Sequence, residues 1–104
     1  MSKFVFAYHG GGMAATEAEQ AAVYAAWGAW FESIGPSILD GGNPTGQSKT
    51  LGSDGSVSDG GGANPLSGYS LISASDLDAA LALAKGCPIL AAGGSVEVAE
   101  AIEM

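Results

Sequence analysis

A single stretch near the start limits what this chain can fold into. In Lys3-Phe4-Val5-Phe6-Ala7-Tyr8-His9 the side chains alternate, with Phe4, Phe6 and Tyr8 on one face and Val5, Ala7 and His9 on the other. Both faces are mostly apolar, whereas a strand with one wet face shows polar residues at every second position. This strand is therefore predicted to be covered on both sides. It carries the only histidine and runs directly into Gly10-Gly11-Gly12. The rest of the chain is expected to pair with it, cover it and bring polar groups to its carboxyl end.

Thr16-Glu17-Ala18-Glu19 reads as a capping box, which predicts a helix from about Glu17 to Ile34 with Val23, Trp27, Trp30 or Phe31, and Ile34 on its buried side. Gly35-Pro36 stops it. Ser37 to Asp40 is a short second strand ended by Gly41-Gly42. Ser48 to Gly52 and Ser56 to Asp59 form a polar, peripheral hairpin through Asp54-Gly55, a pair suited to a tight turn. Ser67 to Ser73 is the next strand. Ser75 and Asp78 predict the cap of a second helix, with Leu77, Leu81 and Ala84 buried and an end at Lys85-Gly86. Ile89 to Ala92 is apolar and fits either strand or helix. A last strand runs from Ser95 to about Glu100, with Val96 and Val98 facing in.

The 104 residues make one domain, and strand, helix, strand, hairpin, strand, helix, strand is the order of a ferredoxin-like βαββαβ unit, an α+β fold with an antiparallel sheet and a peripheral hairpin. Both helices then lie on one face of the sheet. The other face, apolar at Val5 and Ala7, needs a second layer, and another copy of the chain is the simplest one. The expectation is a homodimer joined through its sheet faces, a dimeric α+β barrel.

Charge narrows the partners. Eleven acids against three lysines give a net charge of −8, and there is no arginine. Such a surface repels polyanions and offers no guanidinium fork for phosphate, so neither nucleic acid nor an anionic membrane is an expected partner. No apolar run reaches the roughly 20 residues of a membrane helix, and no secretory leader pattern stands at the amino terminus, so a cytoplasmic location is expected. One cysteine, Cys87, and one histidine leave no zinc ligand set, and no metal or cofactor is expected.

Gly68-Tyr69-Ser70-Leu71-Ile72, Leu77-Asp78-Ala79-Ala80, Cys87-Pro88 and Gly93-Gly94-Ser95-Val96-Glu97-Val98, with the strand-then-glycine opening and the Trp/Phe-rich first helix, resemble the YCII-related, or DGPF-type, domain family. The resemblance covers nearly the whole chain. It implies a dimeric ferredoxin-like fold with a cleft and, in some members, a histidine and an aspartate at the active site. Most members have no assigned reaction, and at least one similar protein is a lyase that removes chloride from a chlorinated aromatic. Of the name-giving Asp-Gly-Pro-Phe only Asp59 and Gly60 stand here, followed by Gly61-Gly62-Ala63-Asn64-Pro65.

His9, at a strand end beside a glycine loop, is either an acid/base facing a cleft or a ring satisfied by backbone at the sheet edge. Asp59, at the end of the hairpin, is the first candidate to orient it. Asp40 is the second, although acids before Gly-Gly commonly bond their own backbone. Gly10 begins a loop that allows close backbone approach. A phosphate there would be opposed by Glu17 and Glu19. Tyr8 and Tyr69 are core residues unless a phenol near His9 holds an aromatic ligand, and Cys87 is a packed hydrophobe. The function that follows is a cofactor-free lyase or isomerase on a small cyclic or aromatic molecule, with His9 moving a proton and Asp59 positioning it. The rival is a non-catalytic dimeric module that binds a small ligand or another protein.

Overall fold

A computed structural model describes residues 1–11 and 16–104. The chain is α+β. Four strands, β1 (Ser2–His9), β2 (Ile38–Asp40), β5 (Leu66–Ala74) and β6 (Ser95–Glu100), form an antiparallel sheet in the order β2-β5-β1-β6. Helices α1 (Glu17–Ser33) and α2 (Leu77–Ala84) complete the body, and β3 (Lys49–Leu51) with β4 (Val57–Asp59) makes a separate two-stranded sheet. Gly12 and Met13 of the glycine loop lie outside the described residues.

The two faces of β1 meet different fates. Phe4, Phe6 and Tyr8 are buried against Trp30 and Ile34 of the first helical segment and Ala80 and Ala84 of α2. Val5, Ala7 and His9 are only half-buried, as are Tyr69 and Leu71, which oppose Ala7 and Val5 on β5. A single chain thus buries one side of its sheet and leaves the other half-covered, with Val5, Ala7, Tyr69 and Leu71 at its centre and Lys3, Ser73, Ser95 and Glu97 around them.

Both helices begin with a side-chain cap. Thr16 Oγ1 accepts from the Glu19 amide at 3.1 Å, as predicted for a capping box. At α2 the cap is Asp76, whose carboxylate accepts from the Ala79 amide at 2.8 Å, and not Ser75. Ser75 and Asp76 are adjacent residues that both suit an N-cap, and the point where the chain leaves β5 decides between them.

Two predicted buried stripes need correction. Val23 is exposed, as is every residue from Glu17 to Ala26, because helical spacing defines a face but not how far along that face the sheet reaches. The aromatic contact is made only by the last two turns, through Trp27, Trp30 and Phe31. In α2, Leu77 and Leu81 are partly exposed while Ala80 and Ala84 are buried. Nearly all of Leu77–Ala84 is apolar, so several stripes are open to it, and the short alanines let the helix approach the sheet most closely. The ambiguous Ile89 region is a short 3-10 turn, Pro88–Leu90, that buries Ile89.

Candidate functional site

His9 is the last residue of β1, and three neighbouring segments meet around its ring. The β1–β5 register slips between Tyr8, opposite Gly68, and His9, opposite Leu66, leaving Ser67 as an extra residue on β5. That bulge brings the segment before β5 over the imidazole, and Nδ1 lies 3.0 Å from the Asn64 carbonyl oxygen and 3.2 Å from that of Pro65. Both oxygens can only accept, so Nδ1 carries a hydrogen. Nε2 is then the nitrogen available to exchange a proton. It faces Glu97 Oε1 at 3.1 Å. The histidine side chain is 11% exposed and that of Glu97 68%. The ring is thus held by two backbone oxygens at Nδ1 and presents Nε2 to a carboxylate that solvent reaches freely.

Glu97 is the carboxylate that the sequence reading missed. On β6 it is opposite Ala7, and Ser95 is opposite His9, so Glu97 and His9 are diagonal neighbours on one face of the sheet. The signal was the alternation Ser95, Glu97, Ala99 on a strand entering from Gly93-Gly94, but it becomes readable only when β6 is known to lie beside β1. Asp59 is not the partner of the ring. It sits at the end of the hairpin and pairs with Lys49 Nζ at 2.7 Å, a contact natural to residues that face each other across two strands. Beside His9 on β5, Ser67 buries its hydroxyl without a hydrogen-bond partner among the described residues, an imbalance that native structures seldom keep without a use.

The remaining candidates separate by face. Tyr8 is buried on the helix side of the sheet, opposite to His9, because adjacent residues of a strand point apart, so it cannot line a site with His9. Its hydroxyl donates to Ser70 Oγ at 2.7 Å, and Ser70 in turn donates to the Gly41 carbonyl at 2.7 Å. Tyr69 is on the open face with His9 and is half-buried. Asp40 accepts from the Gly42 amide at 2.8 Å, which makes it a turn former at the far edge of the sheet. Gly10, with φ of 73°, passes close to Gly94 Cα. Its role in the described structure is close backbone approach where β1 leaves the sheet and β6 enters it.

Burial pushes the Tyr8 phenol up to about 12, against a smaller lowering by the Ser70 hydrogen bond, and pushes the Cys87 thiol up to about 11. Cys87 is thus held as a neutral thiol and does not serve as a nucleophile at neutral pH. Both groups are neutral when protonated and titrate higher in the folded than in the unfolded chain. Their stabilising effect is complete below about pH 9 and is lost as pH rises, between about 9 and 11 for Cys87 and between about 10 and 12 for Tyr8. Urea unfolding should therefore show a loss of roughly 2–3 kcal/mol from Tyr8 alone between pH 9 and 12, and Tyr8→Phe should flatten that part of the curve. Equal pH dependence in the wild type and in Tyr8→Phe would show that the phenol titrates alike in the folded and unfolded chain and that burial does not raise it.

No protein-family model matches the chain, and no curated protein matches it. Among the described residues, no helix is long and apolar enough to cross a membrane.

Proposed function

We propose that this is a ferredoxin-like domain of the YCII-related kind that pairs sheet to sheet and uses His9 and Glu97 for acid/base chemistry on a small cyclic or aromatic molecule. The strand order β2-β5-β1-β6 with two helices on one face supports the first part. The observation that carries the second is the doubly held imidazole, with Nδ1 fixed by the carbonyls of Asn64 and Pro65 and Nε2 turned to Glu97. With Nδ1–H committed to the two carbonyls, Nε2 is the nitrogen that exchanges: while it holds a proton it donates to the Glu97 carboxylate, and without that proton its lone pair takes one from carbon or oxygen of a substrate that displaces Glu97. The exposed carboxylate accepts that proton in turn or gives way to substrate. A lyase step, in which proton removal is followed by departure of a leaving group, and an isomerase step, in which the proton returns elsewhere, both need only this pair. Tyr69, on the same face, offers an aromatic surface for a flat substrate.

The test is turnover by His9→Ala, Glu97→Gln and Asp59→Asn on whichever member of a panel of halogenated and enolisable cyclic compounds the wild type converts. His9→Ala should lose at least about 100-fold in kcat, Glu97→Gln about tenfold, and Asp59→Asn nothing. A His9→Ala protein as fast as the wild type ends the acid/base reading.

One observation favours a second reading, a binding module without catalysis. A concavity of about 660 Å³ lies at the opposite end of β1 from His9, between Lys3, Leu39, Ser73 and Ile102. Ligand-induced NMR shifts clustered at Ser73 and Ile102, with none at His9, would select this reading.

A further inference from the structure

The chain exposes more surface than its size warrants. Its accessible surface is 6850 Å², against about 5,300 Å² for a compact monomer of this mass. The radius of gyration is 14.9 Å, where about 13 Å is usual for this length. Part of the excess is the open sheet face. Another part is the β3–β4 hairpin, whose strands pair only with each other and in which all six strand residues are exposed. Leu51 and Val57 face each other across it, 72% and 61% exposed, and form an apolar pair next to the Asp54-Gly55 turn. A two-stranded hairpin on its own is only marginally stable in water, and an uncovered pair of aliphatic side chains makes it less so.

We infer that the β3–β4 hairpin is an arm that seats its Leu51–Val57 end on a second copy of this chain and, through its return limb, holds the His9 ring in place. The occupant is a second copy because the area fits. Covering the surplus of roughly 1,500 Å² on each chain buries about 3,000 Å² in all, inside the range of obligate homodimers. With the centres of the two sheets against each other, Leu39 on the edge strand β2, 55% exposed, is an apolar surface left for the partner's arm. The link to the site is covalent and short. Asp59 ends the arm, and five residues later Asn64 and then Pro65 present their carbonyls to Nδ1. An arm fixed on a partner fixes that clasp, so assembly and the orientation of the imidazole go together. This inference rests on the sheet-to-sheet pairing proposed above and adds the arm to it.

Sedimentation of the wild type, of Leu51→Asp/Val57→Asp and of Leu71→Asp between 0.1 and 100 µM separates the two. The arm variant should raise the dimer dissociation constant about 100-fold or more, with far-UV circular dichroism unchanged because both positions are exposed in the single chain. Hydrogen exchange on the wild type, which needs no variant, should show the Gly52 amide, bonded to the Ser56 carbonyl, protected at 100 µM and exchanging freely at 0.1 µM. The His9 ring signals of the arm variant should broaden or move with the loss of the partner. If Leu71→Asp yields monomers while the arm variant dimerises like the wild type, the arm inference fails and the sheet pairing stands. If the wild type is itself a monomer at 100 µM, both fail.

Discussion

Trp30→Ala should cost about 4 kcal/mol and leave this protein barely folded. The indole is the point where the first helix meets the sheet. It stacks on Phe6 with ring centroids 6.3 Å apart and meets Tyr8, Trp27 and Phe31 within 6.4 Å. Its Nε1–H also donates to the Leu83 carbonyl at 3.0 Å, so one side chain ties both helices to β1. Truncation opens a cavity in a rigid aromatic cluster that cannot collapse and strands a carbonyl at the end of α2. Against a total stability of 5–15 kcal/mol, that is a fall of roughly 15–30 °C in Tm. Trp27→Ala is the comparison, since Trp27 is half-buried and should cost about half as much. Urea denaturation decides, and a loss below about 2 kcal/mol for Trp30 would mean that the α1–sheet contact is carried elsewhere.

What could be read from the residues alone follows from which signals are local. The strand from Lys3 to His9, the Thr16 cap, the Gly35-Pro36 stop and the hairpin turn at Asp54-Gly55 are each written in a few adjacent residues, and each stands in the structure. The site is not local. His9 was legible as the only histidine, at a strand end. Its partners, Glu97 and the carbonyls of Asn64 and Pro65, are set by strand order, by register and by one bulge at Ser67, none of which leaves a mark within a short window. Asp59 was the first choice because it ends the hairpin and matches the aspartate of the resembled motif, but cross-strand geometry commits it to Lys49. Tyr8 is core, as its default reading has it, and its alternative role beside His9 fails for a simpler reason. Being next to His9 in the chain places it on the other face of the sheet.

Two adjacent glycines that the sequence cannot tell apart should differ sharply in what the same substitution costs. At Gly42 φ is 72°, and a Cβ there would overlap the Tyr69 carbonyl oxygen and lie 2.7 Å from its carbon. Backbone atoms of a paired strand cannot step aside, so Gly42→Ala must push the turn off β5. That breaks the Tyr69 amide bond to the Asn43 carbonyl and disturbs the Ser70 bond to Gly41, on which the Tyr8 hydroxyl depends. Left-handed strain adds about 1 kcal/mol to a steric and hydrogen-bond loss of about 3, for about 4 kcal/mol in all. Gly41 has no atom within 4 Å of where its Cβ would be and does not adopt a positive φ, so Gly41→Ala should change stability by less than about 1 kcal/mol. The effect at Gly42 should reach function too, since Tyr69 is on the open face with His9 and moves with its own carbonyl. Chemical denaturation of the two alanine variants side by side is the measurement, and equal midpoints would mean that β2 and its turn are not anchored on β5 as described.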